Sequence, residues 1–375
     1  MKLAIVTTHP IQYNAPFFRV LEQNASIESI VYFTQPPSST HFDPGFNRHV
    51  EWDINLTSEY QSEQHDATRK SGRQALLKNI KEQAPDAVLI YGWNFPGHFF
   101  LMRKLKGAIP VWFRGDSHLI DPLPTLKRWL RRMALTWVYR HVDHCFTVGS
   151  NNEDYFIKHG LKSNQLSRAP HAVDNKWFQT DDTERRKEAL AWRRALGIPD
   201  KDKVILFSGK LEEKKEPELL IKAWQLLDDP TLHLILGGTG ILEIQLHTDY
   251  AELPNIHLIG FQNQSKMPVL YRMAEVFCLP SKGPNETWGL AINEALACGV
   301  PCIASDRVGC ARDILANPQL GRVFPSGNVN ALKEALLTLL STGPPNPTSL
   351  IAFRAEYSYG SFTKQIRSKW KTTTN

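Results

Sequence analysis

The sequence predicts two doubly wound α/β domains in tandem, each with a parallel sheet covered by helices on both faces. Short apolar runs alternate with helical segments in both halves, as at 3–6, 87–91, 204–207 and 232–236. A highly charged stretch interrupts this alternation near the middle of the chain. The length of 375 residues also exceeds that of one typical hydrophobic core.

The first half, 1–180, is expected to form one domain. Its predicted strands lie at 3–6, 29–33, 87–91, 110–114 and 144–148. Its predicted helices lie near 17–23, 99–105 and 151–159. Residues 34–71 are polar, contain Pro and Ser and have little periodicity, so a long loop is expected there.

The second half restarts the alternation after a charged linker at 181–203, which holds a predicted helix at 184–196. The second domain is expected at 204–356. Its predicted strands lie at 204–207, 232–236, 256–259, 276–279 and 301–304, with a helix at 216–227. The tail, 357–375, is a candidate helix that packs back on the first domain, although the sequence does not settle this.

Composition indicates an ordinary globular protein, with 42% hydrophobic and 22% charged residues. No apolar run approaches the length of a membrane span. Five cysteines, four of them between Cys278 and Cys310, do not suggest a disulfide framework, so a reducing cytoplasm is expected. The net charge of +6 is too modest to indicate a nucleic-acid partner. No cysteine or histidine group has the spacing of a metal site, and Asp200-x-Asp202 is interpreted as a turn.

The most informative stretch is 280–301. A loop with Glu286 leads through Gly289 into an apolar helix that contains Glu294 and ends at Gly299. A carboxylate in such a helix needs a hydrogen-bond partner. The amides of 289–292 begin the helix without intrahelical acceptors and would attract an anion. The pattern therefore predicts a phosphorylated, hydroxyl-rich ligand.

Neighbouring strand ends also suit a phosphate. Gly209 and Lys210 follow one strand, with Lys215 close behind. The Gly-Gly-Thr-Gly turn at 237–240 lacks the Gly-x-Gly-x-x-Gly spacing of dinucleotide-binding proteins, which disfavours a nicotinamide dehydrogenase. The turn is interpreted as a close approach of the backbone to a ligand.

In this order the motifs resemble those of the retaining glycosyltransferases of family 4, which have the GT-B fold. The matching residues are Gly209-Lys210-Leu211, Lys215, the turn at 237–240, Gly260-Phe261, Glu286-x7-Glu294, Gly289 and Gly299-x-Pro301. The match is close over 200–315, and the first half matches only in layout. The resemblance implies two Rossmann-like domains facing across a cleft, with the acceptor on the first and a nucleotide sugar on the second.

The resemblance also implies a role for each motif residue. Glu294 would hold the ribose, Glu286 the hydroxyls of the donor sugar, and Lys210 and Lys215 the diphosphate. Further donor contacts would come from Gly209, Gly238, Gly260, Phe261, Gln262, Trp288, Gly289, Leu290 and Ala291. Neither a metal nor a cofactor would be required. The sequence departs from the family at Lys210, where Arg is more frequent, and at Glu216, where Gly is usual.

The first half is less specific about the acceptor. His9, Gln12 and Asn14, in the loop after the first strand, are candidate acceptor contacts. Asp116 and His118 end the strand that begins at Pro110, and either is a candidate for the reacting centre. The structural alternative for His118 is that it caps the following helix or is satisfied in the core.

Residues 126–140 carry five basic residues and no acidic one, with tryptophans and other apolar residues near one helical face. Two interpretations stay open: a helix at an anionic membrane surface, or a packed helix with a solvated basic face. The first would place the protein at the inner face of a membrane with a lipid-linked acceptor.

The resemblance therefore implies a retaining, metal-independent glycosyltransferase, and we expect it to add a sugar to a glycan in polysaccharide or lipopolysaccharide synthesis. The alternatives are an epimerase or a phosphorylase of the same fold, and a non-catalytic sugar-binding protein.

Overall fold

The computed structural model describes residues 1–35, 41–43, 48–121, 124–250 and 252–374. The chain divides into two compact units. The first comprises Met1–Ser39, Asn55–Asp174 and Ser358–Asn375, and the second Thr40–Ile54 and Asn175–Tyr357. Each unit is built around one parallel sheet.

The sheet of the first unit has seven strands, in the order β5-β2-β1-β6-β7-β8-β9. Their bounds are β1 Lys2–Thr7, β2 Glu28–Phe33, β5 Ser62–Gln64, β6 Ala87–Tyr91, β7 Val111–Arg114, β8 His144–Thr147 and β9 Leu166–Arg168. Every pairing in it is parallel. Two further strands, β3 His41–Asp43 and β4 Arg48–Val50, pair antiparallel with each other and belong to the Thr40–Ile54 segment of the second unit. The stretch 34–71, expected to be one long loop, thus contains three short strands, and 36–40 and 44–47 lie outside the described residues.

Apolar side chains of this sheet alternate between two buried layers. Leu3 and Ile5 of β1 lie in one core cluster, and Ala4 and Val6 lie in the other. Because successive side chains of a strand point to opposite faces, both faces of the sheet are covered. This explains why the strands read as continuous apolar runs in the sequence.

The helices of the first unit are α1 Ala15–Glu22, α2 Lys70–Gln83, α3 Pro96–Leu105, α4 Thr125–Tyr139, α5 Ser150–Lys158 and α15 Tyr359–Thr374. The last of these comes from the C-terminal tail. Its Phe362 stacks on Phe17 of α1 at 4.4 Å between ring centroids, and Ile366 is fully buried in the same core. The tail therefore completes the hydrophobic core of the first unit.

The sheet of the second unit has six parallel strands, in the order β12-β11-β10-β13-β14-β15. Their bounds are β10 Lys203–Ser208, β11 Leu232–Gly237, β12 Ile256–Gly260, β13 Val276–Leu279, β14 Cys302–Ser305 and β15 Gly321–Phe324. The helices are α6 Asn175–Gln179, α7 Asp182–Ala195, α8 Pro217–Gln225, α9 Glu243–Tyr250, α10 Met267–Arg272, α11 Leu290–Ala297, α12 Ala311–Ile314, α13 Val329–Thr342 and α14 Pro347–Glu356.

Helix α7 occupies most of the stretch 181–203 and packs inside the second unit. Its Arg193 is buried and donates hydrogen bonds to Met273 O at 3.4 Å and to Glu275 Oε1 at 3.1 Å. Asp182 at its first turn accepts a 2.8 Å hydrogen bond from buried Arg272. This charged stretch is thus fixed to α10 and the start of β13 by side-chain hydrogen bonds.

None of the helices in the described ranges has the length and the hydropathy that crossing a bilayer requires.

Candidate functional site

The predicted donor residues follow neighbouring strands of the second sheet. Gly209 follows β10, Gly238 follows β11, Phe261 follows β12, and the loop that holds Glu286 follows β13. Since these strands are parallel and adjacent, their carboxyl ends meet at one edge of the sheet. The fold therefore brings the predicted donor residues of this unit to one place.

Glu286 and Lys215 form an ion pair at this edge. The Lys215 ammonium donates a hydrogen bond to Oε2 of Glu286, and Ser281 Oγ donates to the same oxygen at 2.9 Å. Glu286 is only 8% exposed, so its negative charge depends on this cation for compensation. The sequence assigned the two side chains to different parts of a donor, whereas the structure shows them bonded to each other.

Glu294 lies on α11 and is buried with two partners from the protein itself. Tyr271 Oη donates to Oε2 at 2.7 Å, and Gln264 Nε2 donates to Oε1 at 3.3 Å. Sequence reasoning required a partner for this carboxylate and identified it as a ribose. Tyr271 and Gln264 were missed because neither is in the motif.

Helix α11 begins at Leu290, after Gly289 in the left-handed conformation with φ +90°. A Cβ on Gly289 would lie 2.7 Å from Val308 Cγ1 and 3.0 Å from Leu279 Cδ2. Gly289 has no side chain to cap the first turn, so the amides of Leu290 and Ala291 are suited to bind an anion. The Ile292 amide, also predicted for this role, instead donates a 2.9 Å hydrogen bond to Gly289 O in a tightened first turn.

The loop from Glu286 to Trp288 is fixed by a second backbone segment. Gly309 N–H donates to Glu286 O at 3.0 Å, and Cys310 N–H donates to Trp288 O at 2.9 Å. A Cβ on Gly309 would lie 1.8 Å from Thr287 O, so only glycine fits. Gly309 was not a predicted site residue, because nothing in the sequence except the presence of a glycine marks this position.

The Trp288 side chain is buried beneath the same loop. Its indole Nε1 donates a 2.8 Å hydrogen bond to Asn293 Oδ1 on α11. Trp288 therefore joins the loop to the helix, and its indole is engaged within the protein.

The glycine turns after β10 and β11 contact each other closely. Gly209 N–H donates to Gly237 O at 2.9 Å, and a Cβ on Gly238, which has φ +137°, would lie 1.8 Å from Gly209 O. The sequence predicted that the backbone of this turn approaches a ligand closely. In the structure, its close neighbour is the loop after β10. Gly238 N–H also donates to Gly260 O at 2.7 Å, which adds the β12 loop to this group.

Gln262 and Lys210, two further predicted donor residues, lie in the loops after β12 and β10. Gln262 Nε2 donates to Ile259 O at 2.8 Å, which fixes this side chain against its own strand. Lys210, two residues after the end of β10, is half-buried.

Glu216 adopts the left-handed conformation, with φ +49° and ψ +49°, at the position where the resemblance calls for glycine. Its carboxylate lies 3.8 Å from the Lys282 ammonium, and burial raises its pKa. The turn therefore forms with a residue that is strained there.

In the first unit, buried Arg114 ends β7. Its guanidinium donates to Ala169 O at 2.7 Å and to Pro170 O at 3.4 Å, and it lies 4.2 Å from the ring centroid of Phe362. Arg114 therefore joins three segments at the carboxyl edge of this sheet. Neither Arg114 nor Phe362 was a predicted site residue.

Asp116 and His118, the two alternatives after β7, have different surroundings. His118 Nδ1 accepts a 3.2 Å hydrogen bond from the Ile120 N–H, so it caps its own loop. Asp116 is exposed and interacts electrostatically with Arg114 and His171. Burial and Arg114 hold the pKa of His171 well below its usual range, and Asp116 opposes this shift. The structure thus groups Asp116 with Arg114 and His171.

The candidate acceptor residues lie in the loop between β1 and α1. His9 is exposed, with Nδ1 3.0 Å from Thr8 Oγ1, and Gln12 is half-buried. Asn14 precedes α1, and its N–H donates to Ile11 O at 3.1 Å. Because only β6 separates β1 from β7, the two strand ends lie about 10 Å apart.

Comparison with known proteins finds a family model that matches most of the second unit. Residues 189–352 match the family described as "Glycosyl transferases group 1". A phosphatidyl-myo-inositol mannosyltransferase of Mycobacterium leprae is 32% identical over 150 residues, which are 38% of this chain and 39% of that protein. The matches span under half the length of the curated relatives.

Two solved structures share the fold along the chain. The sucrose-phosphate synthase of Thermosynechococcus elongatus superimposes with a TM-score of 0.74 at 15% identity, covering 100% of this chain and 99% of that chain. Anabaena HepE in complex with UDP and glucose gives a TM-score of 0.71 at 14% identity, covering 99% of both. Residues 189–352 thus match a group 1 glycosyltransferase domain, and the chain has the GT-B fold of two Rossmann-like parallel-sheet domains.

Proposed function

We propose that this protein transfers a sugar from a nucleoside diphosphate sugar to a glycan acceptor. The observation that carries the proposal is the ion pair between half-buried Lys215 and buried Glu286. It lies at the same edge of the sheet as the uncapped start of α11. A cation, a carboxylate and free helix amides suit a diphosphate joined to a hydroxyl-rich sugar. The family match of 189–352 and the UDP and glucose bound by Anabaena HepE support it.

Each group has a distinct role in this proposal. Glu286 accepts hydrogen bonds from donor-sugar hydroxyls, and Glu294 accepts from the ribose while Tyr271 and Gln264 hold its carboxylate in place. Lys210, Lys215 and the amides from Gly289 to Ala291 stabilise the charge that develops on the departing diphosphate. With this charge balanced by protein groups, the reaction requires neither a metal nor a cofactor. The finer assignment to glycosyltransferase family 4 belongs to this proposal.

The proposed stereochemical course is retention. Glu286 Oε2 already accepts hydrogen bonds from Lys215 and Ser281, which makes it a poor covalent nucleophile. Retention itself rests on the resemblance to retaining transferases. Given retention without a covalent intermediate on Glu286, the acceptor hydroxyl attacks from the face that the diphosphate leaves. NMR of the product anomer in the first minutes of reaction distinguishes the two courses, and an inverted anomer would contradict this proposal.

The proposed acceptor is a lipid-linked glycan of polysaccharide or lipopolysaccharide synthesis, used at the inner face of a membrane. The name of the Mycobacterium leprae relative refers to a lipid as its substrate, which supports a lipid acceptor here. In the first unit, Asp116 is the group we assign to the reacting centre, with His9, Gln12 and Asn14 contacting the acceptor. His118 is assigned to its loop because Nδ1 is occupied by the Ile120 N–H.

A panel of UDP-, GDP- and ADP-sugars, screened by thermal shift and by slow hydrolysis, tests the proposal. A donor at a hundred times its Kd should stabilise the protein by about 2.7 kcal/mol. Lys215→Met should abolish donor hydrolysis. Lys214→Met is a matched control, because Lys214 pairs with Glu212 at 3.2 Å and not with the site carboxylate. The proposal fails if no nucleotide sugar stabilises or is hydrolysed by the wild type.

The same assay separates the alternative functions. Release of nucleoside diphosphate without any acceptor, with the sugar inverted at one carbon, would indicate an epimerase. Dependence on inorganic phosphate would indicate a phosphorylase. Stabilisation by a sugar without turnover, unaffected by Glu286→Gln, would indicate a binding protein.

A further inference from the structure

Helix α4 exposes a row of large apolar side chains to solvent. Leu126, Trp129, Leu130, Met133 and Trp137 are between 42% and 69% exposed. Their spacing of three or four residues places them on one face of the helix. Single exposed apolar residues are ordinary, but five on one helical face form a contiguous patch that indicates a partner.

The exposed row of α4 is not the face by which the helix packs on its own unit. Only Leu135, Val138 and Tyr139 of the helix are buried, and all three lie in its C-terminal half. At 3.6 residues per turn, the buried row lies about 180° around the helix from the exposed row. The exposed row therefore faces away from the core of its own unit, and the helix has two apolar faces.

The charge around this face has one sign. Lys127, Arg128, Arg131, Arg132 and the capping Arg140 are basic, and residues 125–140 contain no acidic side chain. The neighbouring α3 extends the charge, since the guanidinium of exposed Arg103 lies 5.8 Å from the Trp137 ring. Arg140 lies 5.6 Å from the same ring. Cations thus surround the C-terminal end of the exposed row as well as its opposite side.

We propose that the outer face of α4, defined by Leu126, Trp129, Leu130, Met133 and Trp137 with its flanking cations, is a docking surface for an anionic lipid bilayer. The helix lies in the plane of the interface, with the apolar row inserted about 5–10 Å and the Lys and Arg stems extended to the phosphates. Trp129 and Trp137 lie at the headgroup level, which indole rings prefer.

The charge of this surface favours a lipid bilayer over a second copy of the chain as its partner. A two-fold contact through the exposed row would place the same surface on both sides, so Arg103 and Arg140, which border the row, would meet the equally basic surface of a second copy. Nothing acidic on the helix would compensate them. A bilayer with phosphatidylglycerol supplies the negative charge that the surface lacks.

This inference deepens the proposed function, because docking would bring the first unit to a lipid-linked acceptor, but its test does not require sugar transfer. The full-length protein is sedimented with vesicles of phosphatidylcholine and with vesicles that also contain phosphatidylglycerol. We expect binding only to the second kind, and weaker binding at high salt.

Two sets of variants assign the binding to α4. Lys127→Gln with Arg128→Gln should weaken partitioning by about fivefold for each cation removed. Trp129→Ser with Met133→Ser should reduce it further, because the inserted area is lost. The matched controls are Lys78→Gln with Lys81→Gln on α2, and Ile244→Ser with Ile351→Ser, which remove exposed residues of the same kind elsewhere. All four changed α4 side chains are exposed, so thermal unfolding should be unchanged.

The proposal is overturned if the wild type binds neutral and anionic vesicles equally, or if the α4 variants partition like the controls. A wild type that is dimeric by light scattering, with a monomeric Trp129→Ser, Met133→Ser variant, would assign the surface to self-association instead. If the wild type binds a donor sugar but no vesicles, the docking surface is contradicted. The proposed sugar transfer is not affected by that result.

Discussion

The hydroxyl of Tyr271 donates a 2.7 Å hydrogen bond to Oε2 of Glu294, and both side chains are buried. Tyr271 comes from α10 and Glu294 from α11, so the bond joins two helices behind the candidate site. Gln264 occupies the other carboxylate oxygen at 3.3 Å. Glu294 is therefore held in one orientation by the protein before any ligand arrives, which is the preorganisation that a binding carboxylate needs.

Tyr271→Phe should lower both the free energy of unfolding and the affinity for the donor. Removing the hydroxyl leaves a buried carboxylate oxygen with less compensation, at a cost of about 1–3 kcal/mol in the free energy of unfolding. Urea unfolding of the variant and the wild type measures this difference. Tyr250→Phe, at a half-buried tyrosine of α9, is the control and should change stability by less than about 0.5 kcal/mol. Equal stability of Tyr271→Phe and wild type would show that the bond contributes nothing.

The sequence predicted the central strands well because they are buried on both faces and therefore continuously apolar. It predicted β6 and β13 at their observed bounds and the others to within one or two residues. Among the strands of the two parallel sheets, it missed β5, β9 and β15, which are three or four residues long and include polar positions. Each lies at an edge of its sheet, where one side of the strand is unpaired and the apolar pattern is weakest.

The site was predictable only where it depends on local pattern. The start of α11 and the burial of Glu294 follow from neighbouring residue types. The Lys215–Glu286 pair joins residues 71 apart, and Arg114 meets Phe362 from the last helix of the chain. Such contacts depend on how loops cross the sheet edge, which periodicity does not encode.

The Lys215–Glu286 pair should show strong coupling in a double-mutant cycle. Lys215→Met leaves a buried carboxylate bonded to Ser281 but without its cation, and Glu286→Gln leaves a half-buried cation without its carboxylate. The double variant removes both charges and should be more stable than the sum of the two losses predicts, by about 1–3 kcal/mol. Thermal and urea unfolding of the four proteins measure it. Strict additivity would mean that the two charges do not depend on each other.

Glu216→Gly should stabilise the protein. Glu216 has φ +49°, a conformation that costs a side-chain-bearing residue about 1–2 kcal/mol and glycine almost nothing. The greater freedom of glycine in the unfolded chain offsets part of the gain, so we expect about 0.5–1 kcal/mol from urea unfolding. Glu216→Ala removes the carboxylate and its Lys282 contact while keeping Cβ. If the alanine variant gains as much as the glycine variant, the carboxylate and not the backbone is the source of strain.

His98 should make the first unit sensitive to acid. Burial lowers the pKa of His98 to about 4, and its Nδ1 donates to Tyr91 O at 2.9 Å while Nε2 accepts from Thr34 Oγ1 at 2.8 Å. In the unfolded chain the pKa of histidine is about 6.5. The depressed pKa means that the folded state holds the neutral ring, so its contribution is complete above pH 6.5 and is lost as the pH falls towards 4. The loss amounts to at most about 3 kcal/mol.

Urea unfolding at pH 8 and pH 4.5 tests this linkage with two variants. His98→Gln has no titrating ring, so its deficit relative to wild type should shrink at the lower pH. Thr34→Val removes a hydrogen bond to the ring but not the ring itself, and should keep the acid sensitivity of the wild type. A deficit of His98→Gln that is the same at both pH values would contradict the prediction.

Gly309→Ala should disrupt the candidate site from outside the motif. The added Cβ would lie 1.8 Å from Thr287 O, so the loop that carries Glu286 must move or the 309–310 segment must separate from it. We expect a loss of about 1–3 kcal/mol in stability and weaker binding of any donor that the screen identifies. Gly360→Ala is the matched control, since its nearest neighbour would be Ser358 Oγ at 3.7 Å and the residue lies in α15. That change should be neutral or stabilising by up to about 1 kcal/mol. If the two alanine variants unfold at the same urea concentration, the segment around Gly309 does not support the Glu286 loop.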